Sequence, residues 1–481
     1  MNKIHTKIRQ NFGLFGGLSI IFGIIATMLF YKTGIGLNSF LFTATMILIL
    51  VIISKKLKIT VTKGTYLCFL GAILLGLSNV LTSNEYLQFL NSIGILLLLD
   101  YSLNRLFSTK KSLSFIENLK KIFKLPFKAL SSIGMLFVDG NRFIKDKKLI
   151  KNERLRNIFI GCLIAIPLML IIIALLSSAD IVFARLTLSL FEWLLYRDFY
   201  LIILMILLAT LFCYSLLCAA SKDNEASPED KTKANSTIGI TVSTLLLFVY
   251  LLFCGIQILY LFSGGLFSLP AEYTYAEYAR AGFFELLTVT CLNIVFILAC
   301  ENIFNENKWL NAIMTAITGC TYIMIASATY RMCLYIGAYQ LTFLRLLVLL
   351  FLLIDALLLL GVIISIYKKK FPLFEYSVVV ISLCYILFSY SKPDYYIARC
   401  FIANVQELQE EDLEFLTRQL SYDAAPVVAP LLEGPYEYNS QSIIGRYYKK
   451  AADKSYSWDI REYNNSNQRA IKLMKQHSSF N

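Results

Sequence analysis

Eleven apolar runs of about 20 residues dominate this chain and leave it little choice of fold. They are Gly13–Tyr31, Leu37–Ser54, Thr65–Leu81, Tyr86–Leu103, Ile158–Leu176, Phe199–Ala220, Thr237–Phe262, Gly282–Cys300, Trp309–Tyr330, Phe343–Tyr367 and Phe371–Tyr390. Each is long enough to cross about 30 Å of hydrocarbon as a helix, which satisfies its own backbone where no water can. Tyr and Trp recur at the ends of the runs, as at a membrane interface. The third and fourth runs are the weakest, being short or ending in polar residues. Composition agrees: 57% of the 481 residues are hydrophobic and 16% charged, against about 45–50% and about 25% in soluble domains. The expected fold is all-α: a polytopic body over residues 1–391 with about 11 transmembrane helices, then a small helical domain over 392–481.

The net charge of +13 reflects topology rather than nucleic acid, for which no binding motif is present. Lys55, Lys56, Lys58 and Lys63, the stretch from Lys110 to Arg156, Lys222, Lys231, Lys233, Lys308 and Lys368–Lys370 all fall in loops alternating with the N-terminus. The opposite loops carry only Lys32, Arg185, Arg197, Arg280, Arg331 and Arg345. The positive-inside rule then places the N-terminus in the cytoplasm and, after eleven crossings, everything beyond Ser391 outside. Lys3, Lys7 and Arg9 before Gly13–Tyr31 imitate a signal peptide, but the run is long and lacks a small-x-small cleavage site, so a retained span is expected.

Three segments are not spans. In the basic loop over about 108–157, Ile116, Leu119 and Phe123 keep helical spacing with Lys120, Lys121, Lys124 and Lys128 beside them. This predicts an interfacial amphipathic helix ended or bent at Pro126, serving as an anchor to anionic lipid or as a docking site for a cytoplasmic protein. Residues 177–198 carry Asp180, Arg185, Glu192 and Arg197 and are expected to lie in the outer interface. In the tail, Ile397, Phe401, Val405 and Leu408, then Leu413, Leu416 and Leu420, keep helical spacing, and a last helix is expected from about Trp458 to Lys475. The tail is a second surface for a protein partner.

Catalytic signals are scarce. The two histidines, His5 and His477, lie near the termini, which disfavours bis-histidine haem, zinc hydrolysis and a Ser-His-Asp triad. The eleven cysteines lie mostly in apolar runs without a CxxC, as small hydrophobes. No P-loop, HExxH, GxSxG or dinucleotide fingerprint occurs. No cofactor, metal or catalytic residue is expected.

The polar groups that stand out are those a bilayer penalises. Insertion of Asp or a basic residue at mid-span costs roughly 2.5–3.5 kcal/mol. Glu277, Tyr278, Arg280 and Glu285 stand at the mouth of the run from Gly282, with Glu285 inside it. Glu277 and Arg280 can pair on one helix face. Glu285 reads either as a proton or cation site in an outer cavity or as half of an interhelix ion pair with Arg331 or Arg345. Asp355 lies at mid-span among leucines and is too short to reach either interface. Secondary transporters place coupling carboxylates at this depth; Gln257 and Asn293 are alternative hydrogen-bond partners. Asp100 and Arg331 read as interfacial residues, Arg331 with Tyr335 and Tyr339 on the next turns. Gly13 and Gly17 form a weak GxxxG packing pattern.

Several stretches together resemble a bacterial membrane-protein family known only as domain of unknown function 4153, with its relative 4173. They are SSADIVFARL (Ser177–Leu186), YAEYARAGFFEL (Tyr275–Leu286), KPDYYIAR (Lys392–Arg399), DLEFLTRQLSYDAAP (Asp412–Pro426) and REYNNSNQRA (Arg461–Ala470). The resemblance implies a polytopic inner-membrane protein and no established activity. Three functions stay open: a non-enzymatic sensor, scaffold or envelope-associated protein; a secondary transporter using Glu285 and Asp355; and a lipid-active enzyme built on Glu277, Arg280 and Glu285.

Overall fold

The computed structural model describes residues 3–108, 114–147, 153–183, 185, 197–222, 233–261, 283–405, 407–433, 443–447, 449–450 and 459–477. The described residues are helical, with no strand among them. They fall into two units, one of residues 1–80, 88–227 and 458–464, the other of 81–87, 228–457 and 465–481.

The first unit begins with a short basic helix, α1 (Lys3–Gln10), and continues through α2 (Phe12–Phe30), α3 (Leu37–Leu57), α4 (Lys63–Leu81) and α5 (Glu85–Phe107). The shorter α6 (Phe115–Ser131) and α7 (Met135–Asp146) precede α8 (Glu153–Ala179) and α9 (Arg197–Lys222). α2 and α9 pack most extensively. Their approach requires Gly23, where a Cβ would come within 2.5 Å of the Ile206 carbonyl. Gly17 of the predicted GxxxG pair has nothing within 4 Å, and Gly13 faces the Phe143 ring. The pattern therefore does not bring two helices together; the close approach lies further along, at Gly23.

Contacts at the two ends of α2 fix the course of this unit. At its N-terminal end, Arg9 Nε donates to Asp139 at 2.7 Å, Tyr214 Oη donates to the same carboxylate at 3.0 Å, and Phe12 meets Phe143. α7 lies at that end. At the other end Lys32 pairs with Asp198, at the start of α9, over 2.5 Å. The chain between α7 and α9 thus passes from one end of α2 to the other, and α8 within it has 27 residues, a length of about 40 Å.

Polar side chains lace α3, α4 and α5. Asn79 Nδ2 donates to Ser39 Oγ at 2.8 Å, and Asn91 Nδ2 donates to Asn79 Oδ1 at 2.8 Å. The 459–464 segment joins them: Asn464 Nδ2 donates to the Asn79 carbonyl at 3.1 Å and Leu37 N to the Tyr463 carbonyl at 3.1 Å. A Cβ at Gly36 would come within 2.6 Å of the Glu462 carbonyl, so the residue there must be small. Residues 459–464 and α1 therefore lie at opposite ends of α2.

The second unit contains α10 (Ser236–Leu261), α11 (Phe283–Ile303), α12 (Lys308–Tyr339), α13 (Phe343–Tyr367) and α14 (Leu373–Tyr390). Then come α15 (Pro393–Asn404), α16 (Glu410–Glu414, extended by a π-turn to Gln419), short turns over 422–433, and α18 (Asn465–His477) after the four-residue α17 (Ala425–Val428). Cys254, Met324, Ala328 and Leu352 belong to a core among α10–α13. The helices after Tyr390 close on their own core of Ile397, Leu413, Leu416, Ala425, Ile444 and Ala470, against which Leu341, Phe343 and Leu346 pack.

Ten helices among the described residues are long and apolar enough to cross a membrane, and each carries one of the predicted runs. The remaining run, Ile158–Leu176, falls on α8, several of whose side chains lie outside the described residues. The chain is a multi-pass helical membrane protein. Pro126 does not end α6, which runs on to Ser131; the lost backbone bond is outweighed by burial of Leu125 and Ala129 to zero exposure where α6 packs on α9. Most of the predicted outer element over 177–198 lies outside the described residues.

Candidate functional site

Two buried carboxylates in the second unit gather segments far apart in sequence. Asp394 enters through Pro393, which begins α15 after Lys392. Asp423 sits in the turn that Ser421 caps. Each is only 2% exposed. Asp394 Oδ2 accepts from Asn84 Nδ2 at 2.8 Å and from Ser421 N at 3.0 Å. Asp423 accepts from the Thr82 hydroxyl, the Ser466 hydroxyl and Ser83 N at 3.3 Å. Ser466 Oγ also reaches the Leu81 carbonyl at 2.8 Å, and Asn84 Oδ1 accepts from Leu87 N at 2.8 Å, capping the start of α5. Burial pushes the Asp423 carboxyl above the usual carboxylate range; the Ser466 and Thr82 hydroxyls and the Lys392 charge oppose this, and Asp394 adds to it.

The hub is built from the segments that carry the family resemblance. KPDYYIAR supplies Asp394, DLEFLTRQLSYDAAP supplies Ser421 and Asp423, and REYNNSNQRA supplies Ser466. What they hold is the 82–84 link between α4 and α5. Neither aspartate is singled out by hydrophobic periodicity, because both lie at helix starts and turns where acidic residues are ordinary.

Polar clusters also lie within the spans of this unit. Gln257 Oε1 accepts from Ser327 Oγ at 2.7 Å and from Arg331 Nη2 at 3.2 Å. Asn293 donates to Thr321 Oγ1 at 2.9 Å and accepts from Tyr250 Oη at 2.6 Å. Asp355, 3% exposed, has the Thr290 hydroxyl beside its carboxyl, while its Oδ2 has no hydrogen-bond partner among the described residues. Gln257 and Asn293, two candidate partners for Asp355, are thus engaged in clusters of their own. No group of three or more His, Cys, Asp or Glu residues fit to hold a metal occurs among the described residues.

Glu277, Tyr278 and Arg280 lie outside the described residues. Glu285 is exposed and belongs to the first turn of α11, where the helix dipole favours a carboxylate. Arg331, expected as an interfacial anchor, is 6% exposed and points inward to Gln257, because a buried amide oxygen offers a guanidinium a partner that lipid does not. Arg345 donates to the Tyr339 carbonyl at 2.6 Å and lies over the Tyr335 ring, satisfying the end of α12. Asp100, in α5, is half-buried and accepts from Asn104 Nδ2 at 3.2 Å.

A family model described as "Domain of unknown function (DUF4153)" matches residues 69–431. No curated protein matches the chain, and no solved structure does.

Proposed function

We propose, given that the chain belongs to the DUF4153 family, whose activity is unknown, that it is a non-enzymatic membrane sensor, scaffold or envelope-associated protein. In this role it couples its spanning helices to the helical segment after Tyr390. The observation that carries this reading is the Asp394–Asp423 hub, which binds three tail segments to the link between two spanning helices. On this reading a load or a binding event at the tail reaches the 82–84 link through the two aspartates. The setting is a bacterial inner membrane, with the N-terminus cytoplasmic and the tail outside. The opposite placement of α1 and residues 459–464 about α2 supports the odd number of crossings, and the lysine-rich loops support the direction. A reporter fused after Asn481 tests it, since cytoplasmic activity of the reporter overturns the orientation. For the role itself, the intact protein is purified with its envelope and cytoplasmic partners. Stable partners that are lost on Asp423→Ala are expected; solute flux in proteoliposomes with no partner at all overturns the reading.

A second reading is favoured by Asp355. A mid-span carboxyl with one oxygen unengaged is where a proton- or sodium-coupled transporter would place its coupling group. It requires that Asp355→Asn abolish coupled flux while leaving the protein folded. A variant that keeps full flux removes Asp355 from that role.

A further inference from the structure

The first unit presents a helix with three distinct faces, and one of them fits a lipid surface. α6 starts at a capping box, with Ser114 accepting from Glu117 N at 3.2 Å and Glu117 accepting from Ser114 N at 3.1 Å. Its inner face, Leu125 and Ala129, is fully buried where α6 packs on the spanning helix α9. A second face is apolar and exposed: Leu119 at 41%, Phe123 at 61%, Phe127 at 72% and Leu130 at 56%. Their 4-4-3 spacing makes one continuous row. Lys120, Lys124 and Lys128 form a second row one residue on. Each residue advances about 100° around a helix, so the basic row borders the apolar one along its length.

We infer that α6 is a built-in lipid-docking element: the Leu119–Phe123–Phe127–Leu130 row enters one leaflet, and Lys120, Lys124 and Lys128 meet the phosphates of anionic phospholipids. Charge complementarity selects the occupant. A basic row parallel to an exposed aromatic row matches the two layers of a leaflet, acyl chain beside headgroup. The row is also convex and one side chain wide, a shape a fluid leaflet covers without a matching groove. Position agrees, because α7, which follows, is fixed at the end of α2 by Asp139 and Phe143. That is the level at which spanning helices leave the bilayer. Docking rests only on the membrane location and holds for a scaffold and a transporter alike.

The test uses the full chain with Phe127→Trp, reconstituted in vesicles of phosphatidylcholine with increasing phosphatidylglycerol. Emission of the unsubstituted protein is subtracted. Lipids brominated on the acyl chain are expected to quench the added emission in anionic vesicles, and acrylamide in the water is expected not to. In the triple variant Lys120→Gln/Lys124→Gln/Lys128→Gln the phosphatidylglycerol fraction for half-maximal quenching should rise severalfold, since each lysine near an anionic surface contributes a factor of about five. Raised salt should act in the same direction. Quenching by acrylamide but not by bromolipid overturns the proposal. Protection from both quenchers does too, since it would place a protein or a second copy on the row. Bromolipid quenching that is equal in pure phosphatidylcholine and indifferent to the lysines overturns the assignment of anionic lipid.

Discussion

Replacing Asp423 by alanine tests whether the hub holds the second unit together. The carboxylate is the acceptor for Thr82 Oγ, Ser83 N and Ser466 Oγ. Ser466 also reaches the Leu81 carbonyl, so the change falls mainly on Thr82 and Ser83 N, which lose this acceptor. A stranded buried donor costs about 1–3 kcal/mol. Removing a carboxylate that burial already disfavours returns part of this, leaving a net loss of about 2–4 kcal/mol. For a unit of this size that lowers the melting temperature by roughly 5–15 °C. The assay is thermal unfolding in detergent with a thiol-reactive dye, for which the buried Cys254, Cys300 and Cys320 are the reporters. Asp423→Asn, which keeps one acceptor, should lose less. An alanine variant that melts with the parent would falsify the hub as a structural junction.

The hub also sets a pH dependence. The folded Asp423 carboxyl titrates above the usual range, so its proton favours the folded state. That stabilisation is complete below the unfolded value of about 3.9 and is lost as pH rises through the folded value. The parent should therefore gain stability relative to Asp423→Asn as pH falls from neutral; parallel pH curves would contradict the assignment. Asp139→Ala removes the buried partner of a part-buried ion pair and should destabilise the first unit by up to about 3–5 kcal/mol, while Arg9→Met/Asp139→Leu recovers most of it in the same melting assay. Gln257→Leu takes away the acceptor shared by Ser327 and Arg331 and should cost about 2–3 kcal/mol, whereas Gln257→Glu should retain most of the stability. Gly23→Leu must push α2 from Ile206 and cost about 1–3 kcal/mol or more, against under about 0.5 kcal/mol for Gly17→Leu.

The spans were legible because a bilayer imposes one length and one composition on every crossing. Their polar interiors were harder to read. The third and fourth runs looked weak, being short or ending in polar residues, yet Asn79, Gln88 and Asn91 within them and Asn84 between them are side chains that join α4 and α5 to their neighbours. Their spacing carried a usable signal, since Asn84, Gln88 and Asn91 fall on one helical face. The partners of Asp355 were not legible because a single sequence orders the residues of a helix but not the rotation of one helix against the next. Arg331 was misplaced for the same reason: hydropathy locates its depth near a span end but not which way the guanidinium turns.

The distribution of satisfied polar groups separates the two functional readings. The deep amide groups Asn79 and Asn293 are engaged on both sides: Asn79 donates to Ser39 and accepts from Asn91, and Asn293 donates to Thr321 and accepts from Tyr250. Such paired groups fix helix rotation and lose that role when either partner is removed. Asp355 departs from the pattern, with one oxygen left open beside Thr290. The hub fits the proposed coupling at the tail, and Asp355 keeps a buried acceptor that no described residue uses.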